Sequence, residues 1–376
     1  MDVLSEAKKV IHVVGARPNY MKAVPVIKRL SVYPRIQSYL LHTGQHYDKN
    51  LSDIFFKELD APHIDFRLSV SSSSGISQFA DIMKKFEKIV KNVKPDLVIV
   101  YGDINSTLAC ALTAKKLNIK VAHVEAGLRS RDLSMPEEVN RILTDAISDI
   151  LFTPSPDADM NLVKEGVLRE KIHFVGNVMI DSLVQSLPKI EESNILARLG
   201  LSRKKYCVLT LHRPSNVDEK NRLDEILGAF EEIALNHKIV FPLHPRTAKN
   251  FKSFYPRHRL WKAENFYLID PLGYLDFMKL VKESFCVLTD SGGIQEETTF
   301  LKVPCLTIRE NTERPITIKK GTNVLAGVKK EGILRSFFNI KAKPKKKTVK
   351  IERWEGKSAH RIAREISLFL NSAELC

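Results

Sequence analysis

The chain has 376 residues and a formal net charge of +15, with 44% hydrophobic and 27% charged residues. That length is long for one core, so two domains of roughly 150–200 residues are expected. No apolar run nears the roughly 20 residues that span a bilayer, and no signal-like segment precedes Val10–Val14, so membrane insertion is excluded and a cytoplasmic protein is expected.

Short β-rich runs alternate with longer amphipathic stretches. Strands are predicted at Val10–Val14, Tyr39–His42, Leu97–Tyr101, Lys120–Val124, Ile150–Thr153 and Ile172–Val175. Between them Pro18–Ser31, Ile76–Val93, Asn105–Leu117 and Glu137–Ser148 carry helical spacing. The pattern restarts with strands at Tyr206–Leu211, Lys238–Phe241, Phe266–Ile269, Cys286–Thr289 and Pro304–Ile308, and helices at Asp218–Ala234, Tyr274–Lys282 and Gly292–Leu301. The polar segment Lys189–Lys205 reads as the connection, and Gly356–Leu370 as a last helix crossing back to the first domain. Alternation of this kind implies α/β architecture with parallel sheets covered on both faces. The expectation is two doubly wound, Rossmann-like domains facing a cleft: residues 1–185, residues 186–355, and a terminal helical segment 356–376.

In open α/β sheets the site lies beyond the carboxyl ends of the strands, so polar residues where apolar runs stop are the candidates. The first run ends in Gly15-Ala16-Arg17-Pro18-Asn19, where Arg17 and Lys22 can reach a phosphate. Leu97–Tyr101 stops at Gly102-Asp103, and Lys120–Val124 at Glu125. Acids there cost desolvation without a partner. The structural alternatives are a helix N-cap for Asp103 and a salt bridge from Glu125 to Arg129. Glu137, in Pro136-Glu137-Glu138, is favoured by the helix dipole whatever else it does. Tyr206–Leu211 ends in His212-Arg213, and His244 follows Lys238–Phe241 less directly.

The stretch Phe285–Thr298 is the most informative. An apolar run stops at Asp290, two glycines follow, and a helix can start at once. The Ser291, Gly292 and Gly293 amides can meet an anion at that helix start. Glu296 and Glu297, one turn on, suit a sugar or ribose hydroxyl instead. Three acids and a histidine beside two anion-binding helix starts fit acid/base chemistry at a sugar carbon next to a diphosphate leaving group.

The five cysteines have no metal-ligand spacing, and core packing is expected for them. From Lys341 to Arg353 seven basic residues and one Glu occur without aromatic interleaving, which reads as a solvated loop and not as a nucleic-acid site.

The ordered motifs GARPNYMK, HTGQHYD, VYGDINST, HVEAGLRS, MPEEVNR, VGNVMID, LTLHRPSN, FPLHPRT, DSGGIQEE, ENTERP and GTN span nearly the whole chain. They resemble the non-hydrolysing UDP-N-acetylglucosamine 2-epimerase family. The resemblance implies a glycosyltransferase-B type of fold, a UDP-sugar substrate, a homodimer, and no metal or nicotinamide cofactor. It implies interconversion of UDP-GlcNAc and UDP-ManNAc by elimination and re-addition of UDP. Carried over residue by residue, Asp103, Glu125 and Glu137 would share proton transfer at C2, and His212 would meet the leaving phosphate. Arg17, Lys22, Arg213, His244, Phe277, Ser291, Gly292, Gly293, Glu297 and Arg314 would bind the UDP-sugar. Phe277 would lie near the uracil and Glu297 at the ribose. Which acid is the base stays open.

Two departures stand out. Many bacterial members have glutamate where this chain has Asn19, and a QHR-type segment where it has Gln45-His46-Tyr47. That segment belongs in them to a site where a second UDP-GlcNAc activates, and Tyr47 lacks arginine's charge. A hydrolysing 2-epimerase and an epimerase of a modified UDP-acetamido sugar are the alternative expectations.

Overall fold

The computed structural model describes residues 7–44, 58, 60–70, 74–243, 245–342 and 350–372. It divides into two compact units, Met1–Gln185 with Glu352–Cys376, and Ser186–Ile351.

The first unit holds seven strands: β1 (Lys8–Val14), β2 (Ile36–His42), β3 (Phe66–Arg67), β4 (Leu97–Tyr101), β5 (Lys120–Val124), β6 (Ile150–Thr153) and β7 (Ile172–Phe174). All pair in parallel in the order β3-β2-β1-β4-β5-β6-β7. Successive strand residues point to opposite faces. Val10, Val14, Ile99 and Tyr101 therefore pack with Ile27 and Leu30 of α1 (Arg17–Leu30) and with Ile362 and Ile366 of the C-terminal helix Ser358–Ser372. Ile11, Val13, Val98 and Val100 pack on the other face with α2 (Gly75–Val93) and α3 (Asn105–Lys116). Burial of both faces is why these strands read as unbroken apolar runs. The helices α4 (Pro136–Ile147), α5 (Pro156–Lys164) and α6 (Val178–Glu192) follow, and α6 carries the chain into the second unit.

That unit has a six-stranded parallel sheet in the order β10-β9-β8-β11-β12-β13. Its strands are β8 (Tyr206–Thr210), β9 (Lys238–Pro242), β10 (Phe266–Ile269), β11 (Cys286–Thr289), β12 (Cys305–Thr307) and β13 (Asn323–Leu325). The longer helices are α7 (Lys220–Ala234), α8 (Pro245–Phe254), α9 (Tyr274–Glu283), α10 (Gly292–Leu301) and α11 (Lys330–Ala342).

The expected connection at Lys189 starts instead inside α6, which runs on past Pro188 to Glu192. A proline forfeits one helical hydrogen bond, and buried Leu183 and Ile190 on either side offset it. The edge strands β3 and β13, of two and three residues, are too short for an alternating pattern to mark them. In each sheet the strand order reverses once, between β1 and β4 and between β8 and β11. The crevice at such a switch point is where an open sheet takes a ligand.

Candidate active site

The first switch point gathers side chains from the loops after β1, β4 and β5. Asn19, 3% exposed, closes the turn after β1. Its Oδ1 accepts from the Ala16 N–H at 3.1 Å, and its Nδ2 donates to the Tyr101 carbonyl at 2.7 Å. Glutamate could not make the second bond. One turn on, buried Lys22 forms an ion pair with Glu125, which sits at a left-handed φ of 76°. Gly102, at φ +66°, lies against this pair. A Cβ there would stand 3.0 Å from Lys22 Nζ and 3.2 Å from Glu125 Oε2, so only glycine brings the β4 loop this close.

Asp103 is paired with Arg141 of α4, and Asn140 donates to the Asp103 carbonyl at 2.9 Å. Arg141, 2% exposed, also holds Glu138, with Nη2 at 2.6 Å. Glu138 in turn accepts the Ser130 and Arg131 N–H groups at 3.0 and 2.7 Å. Burial works to raise the Glu138 pKa, but these amides and Arg141 outweigh it and hold the carboxyl below its ordinary value. Glu137, half-buried in the first turn of α4, makes no hydrogen bond or ion pair among the described residues. Neither structural alternative holds. The residue at the N-cap of α3 is Ile104, and Arg129 pairs with Asp145 and Glu165 rather than Glu125.

The second switch point is built from the loops after β8, β11 and β12. Asp290, fully buried, accepts the backbone N–H groups of His212 and Arg213 at 3.1 and 2.9 Å. Its Oδ1 stands 3.1 Å from His212 Nδ1. Burial would raise the Asp290 pKa; the His212 ring and the two amides win and lower it. At α10 the Ser291 N–H is taken by Thr289 Oγ1 at 3.0 Å. The first-turn amides of Gly292 and Gly293 have no intrahelical acceptor. A Cβ on Gly292 would come within 2.4 Å of an Arg314 nitrogen, so glycine also admits that guanidinium.

Arg314 pairs with Glu296 at 2.9 Å and with Glu313, while Arg309 reaches Glu313 at 2.8 Å and Arg213 reaches it at 3.3 Å. Among the described residues, the guanidinium groups of Arg213, Arg309 and Arg314 thus meet around the carboxylates of Glu296 and Glu313. Burial, together with repulsion from Arg213 and Arg314, outweighs Glu313 and lowers the Arg309 pKa. Glu297, buried in α10, accepts the Tyr274 hydroxyl at 2.9 Å, and Phe277 is buried on α9.

Sequence reasoning missed Arg309, although it follows the apolar run Pro304–Ile308 and so carried the strand-end signal used elsewhere. Glu138, Arg141, His123 and Asp145 were also missed. His244, Gln45-His46-Tyr47 and residues 343–349 of the basic run lie outside the described residues, as does the side chain of Arg17, whose backbone opens α1. Among the described residues no group of three or more His, Cys, Asp or Glu could hold a metal ion, and no helix is long and apolar enough to cross a membrane.

A family model described as UDP-N-acetylglucosamine 2-epimerase matches residues 28–367. A UDP-N-acetylglucosamine 2-epimerase homolog of Methanococcus maripaludis is 47% identical over 94% of this chain and 98% of its own length. A UDP-2,3-diacetamido-2,3-dideoxy-D-glucuronate 2-epimerase of Pseudomonas aeruginosa is 41% identical over 87% of this chain and 91% of its own. Among solved structures, the UDP-GlcNAc 2-epimerase of Methanocaldococcus jannaschii in complex with UDP-GlcNAc and UDP superposes with a TM-score of 0.90 at 42% identity, covering 96% of this chain and 99% of that one.

Proposed function

The chain belongs to the UDP-N-acetylglucosamine 2-epimerase family, and from that premise we propose that it interconverts UDP-GlcNAc and UDP-ManNAc without net hydrolysis. A base removes the C2 proton, the C1–O bond to the diphosphate breaks, and a glycal and UDP remain bound. UDP then returns to C1 as a proton is delivered to the opposite face of C2. The C2 hydrogen is weakly acidic, so the step needs both a positioned base and stabilisation of the departing diphosphate.

The observation that carries this reading is the carboxylate group at the first switch point. Asp103 and Glu125 are held in place by ion pairs with Arg141 and Lys22. Glu137 stands at the start of α4 with no bonded cation among the described residues, which fits a carboxylate that must accept and release a proton. At the second switch point His212, paired with Asp290, suits the leaving phosphate. Arg17, Lys22, Arg213, His244, Ser291, Gly292, Gly293 and Arg314 are assigned to the UDP-sugar, Phe277 to the uracil side and Glu297 to the ribose; Arg309 joins them. A homodimer is part of the proposal, and exposed apolar Val139 and Leu143 on α4 fit a covered face.

The 41% identity to the diacetamidoglucuronate epimerase supports a second reading, the same chemistry on a modified UDP-acetamido sugar. Incubation with UDP-GlcNAc in D2O, followed by proton NMR, separates the cases. Deuterium at C2 with UDP-ManNAc at steady state is the expected result. Free ManNAc with matching UDP would make the enzyme hydrolysing. An unchanged spectrum from folded protein would favour the modified sugar.

A further inference from the structure

The loop between β7 and α6 carries a buried amide that the proposed chemistry does not use. Asn177, 3% exposed, directly precedes α6 and caps it, its Oδ1 accepting the Met179 N–H at 2.9 Å. That bond fixes which end of the amide is oxygen. Nδ2, also buried, meets no acceptor among the described residues. A buried donor left unmade costs about 1–3 kcal/mol, so a group of this kind is expected to have a partner. Asn177 lines a cavity together with Lys22 and Glu125, among apolar Val124, Phe152 and Val178, all within the first unit. The free space admits about one water and excludes a sugar ring. Because β5 lies between β4 and β6, Gly102 flanks the Lys22–Glu125 pair from one side and the cavity from the other.

We propose that this cavity is a resident water site, in which one water accepts from Asn177 Nδ2 and donates to a Glu125 oxygen, making Asn177 a positioning residue for that acid. With Lys22 as a third lining group, the site offers the roughly two to four polar partners that a buried water needs. Lys22 pairs with Glu125 from α1, and the water ties the same side chain to the loop before α6. The returning C-terminal segment holds the cavity walls from behind. Trp354 Nε1 donates to the Pro154 carbonyl at 2.9 Å, and Arg361 Nη1 to the Val175 carbonyl at 2.8 Å. Gly176, at φ +89°, lies so close to Arg353 that a Cβ would collide with the Arg353 carbonyl. Pro154 and Gly176 both line the cavity, so its shape is set before any ligand arrives.

The water site stands on the cavity and the amide, whereas its effect on rate rests on the function proposed above. Crystals of the full chain, grown without ligand and with UDP-GlcNAc, test the first. A density peak within about 3 Å of Asn177 Nδ2 and of a Glu125 oxygen is expected in both. A cavity without density, or density that enters only with the UDP-sugar, would overturn the assignment. Asn177→Ser keeps the cap for Met179, since serine caps a helix about as well as asparagine, but withdraws the Nδ2 donor. Its kcat for C2 exchange is expected to fall on the order of 10- to 100-fold, the scale of a misplaced catalytic group, while KM and the midpoint of urea unfolding change little. Asn177→Ala loses cap and donor together and should show the same kcat with a lowered midpoint. An unchanged kcat in Asn177→Ser, or losses in the two variants that merely track their unfolded fractions, would refute the positioning role. Wild-type protein that exchanges no C2 hydrogen would refute the proposed function and leave the crystallographic result standing.

Discussion

The two switch points use the same backbone plan for opposite electrostatic ends. In the first unit Lys22 pairs with Glu125, and a single guanidinium, that of Arg141, serves both Asp103 and Glu138. In the second unit the balance tips the other way, with Arg213, Arg309 and Arg314 around Glu296 and Glu313. A carboxylate held in place beside a reacting carbon is equipped for acid/base work. Guanidinium groups in excess beside an open helix N-terminus are equipped to hold a phosphate. On this account proton transfer belongs to the first unit and diphosphate binding to the second.

The largest effect that could break the comparison is catalytic. Glu125→Gln and Asp103→Asn should each slow C2 deuterium exchange by about 10²–10⁴-fold, the usual worth of a positioned acid or base, with fold retained by circular dichroism. A residual rate near wild type in both would remove the first unit from the chemistry.

Next comes Asp181, an acid of the first unit with no bonded cation among the described residues. Asp181 accepts the Ser358 and Ala359 amides at 3.1 and 2.7 Å at the start of the C-terminal helix, and burial pushes its pKa up to about 6. A carboxyl with a raised folded pKa binds its proton more tightly in the native state. Its contribution is therefore full below about pH 4 and is lost as pH rises through about 6. Two pH units correspond to roughly 3 kcal/mol. Urea unfolding of Asp181→Asn should lose that slope between pH 4 and 7. A parallel slope in wild type and variant would show that pairing with amides alone keeps this acid ionised.

In the second unit Arg309→Ala should weaken UDP binding by about 2 kcal/mol, the scale of a hydrogen bond to a charged group. Glu313 keeps Arg213 and Arg314, so the unit should stay folded. The smallest effect is at Asn19. Asn19→Asp keeps the acceptor for the Ala16 amide but loses the donor to the Tyr101 carbonyl, which should cost about 1 kcal/mol in thermal or urea unfolding.

Much of this was legible because parallel strands buried on both faces leave unbroken apolar runs, and the site residues stand where those runs stop. Asp103, Glu125, His212 and the Asp290–Gly293 turn all follow that rule. α4 shows why the rest was not. Its spacing announces an amphipathic helix, but its faces are reversed from the usual order. Glu138, Arg141 and Asp145 are at most 2% exposed, whereas Val139 and Leu143 are 39% and 46% exposed. Periodicity gives the helix and its two faces; which face turns inward depends on the irregular loop at Arg131 and on the loop at Asp103, which is far away in sequence. The same holds for His123, whose partners lie 21 and 22 positions away.

Calorimetric titration of UDP into Glu125→Gln and Arg309→Ala, beside wild type, tests the division of labour most directly. The account predicts wild-type UDP affinity in Glu125→Gln and affinity reduced at least tenfold, or about 1.4 kcal/mol, in Arg309→Ala. Weakened binding in the first with unchanged binding in the second would contradict it.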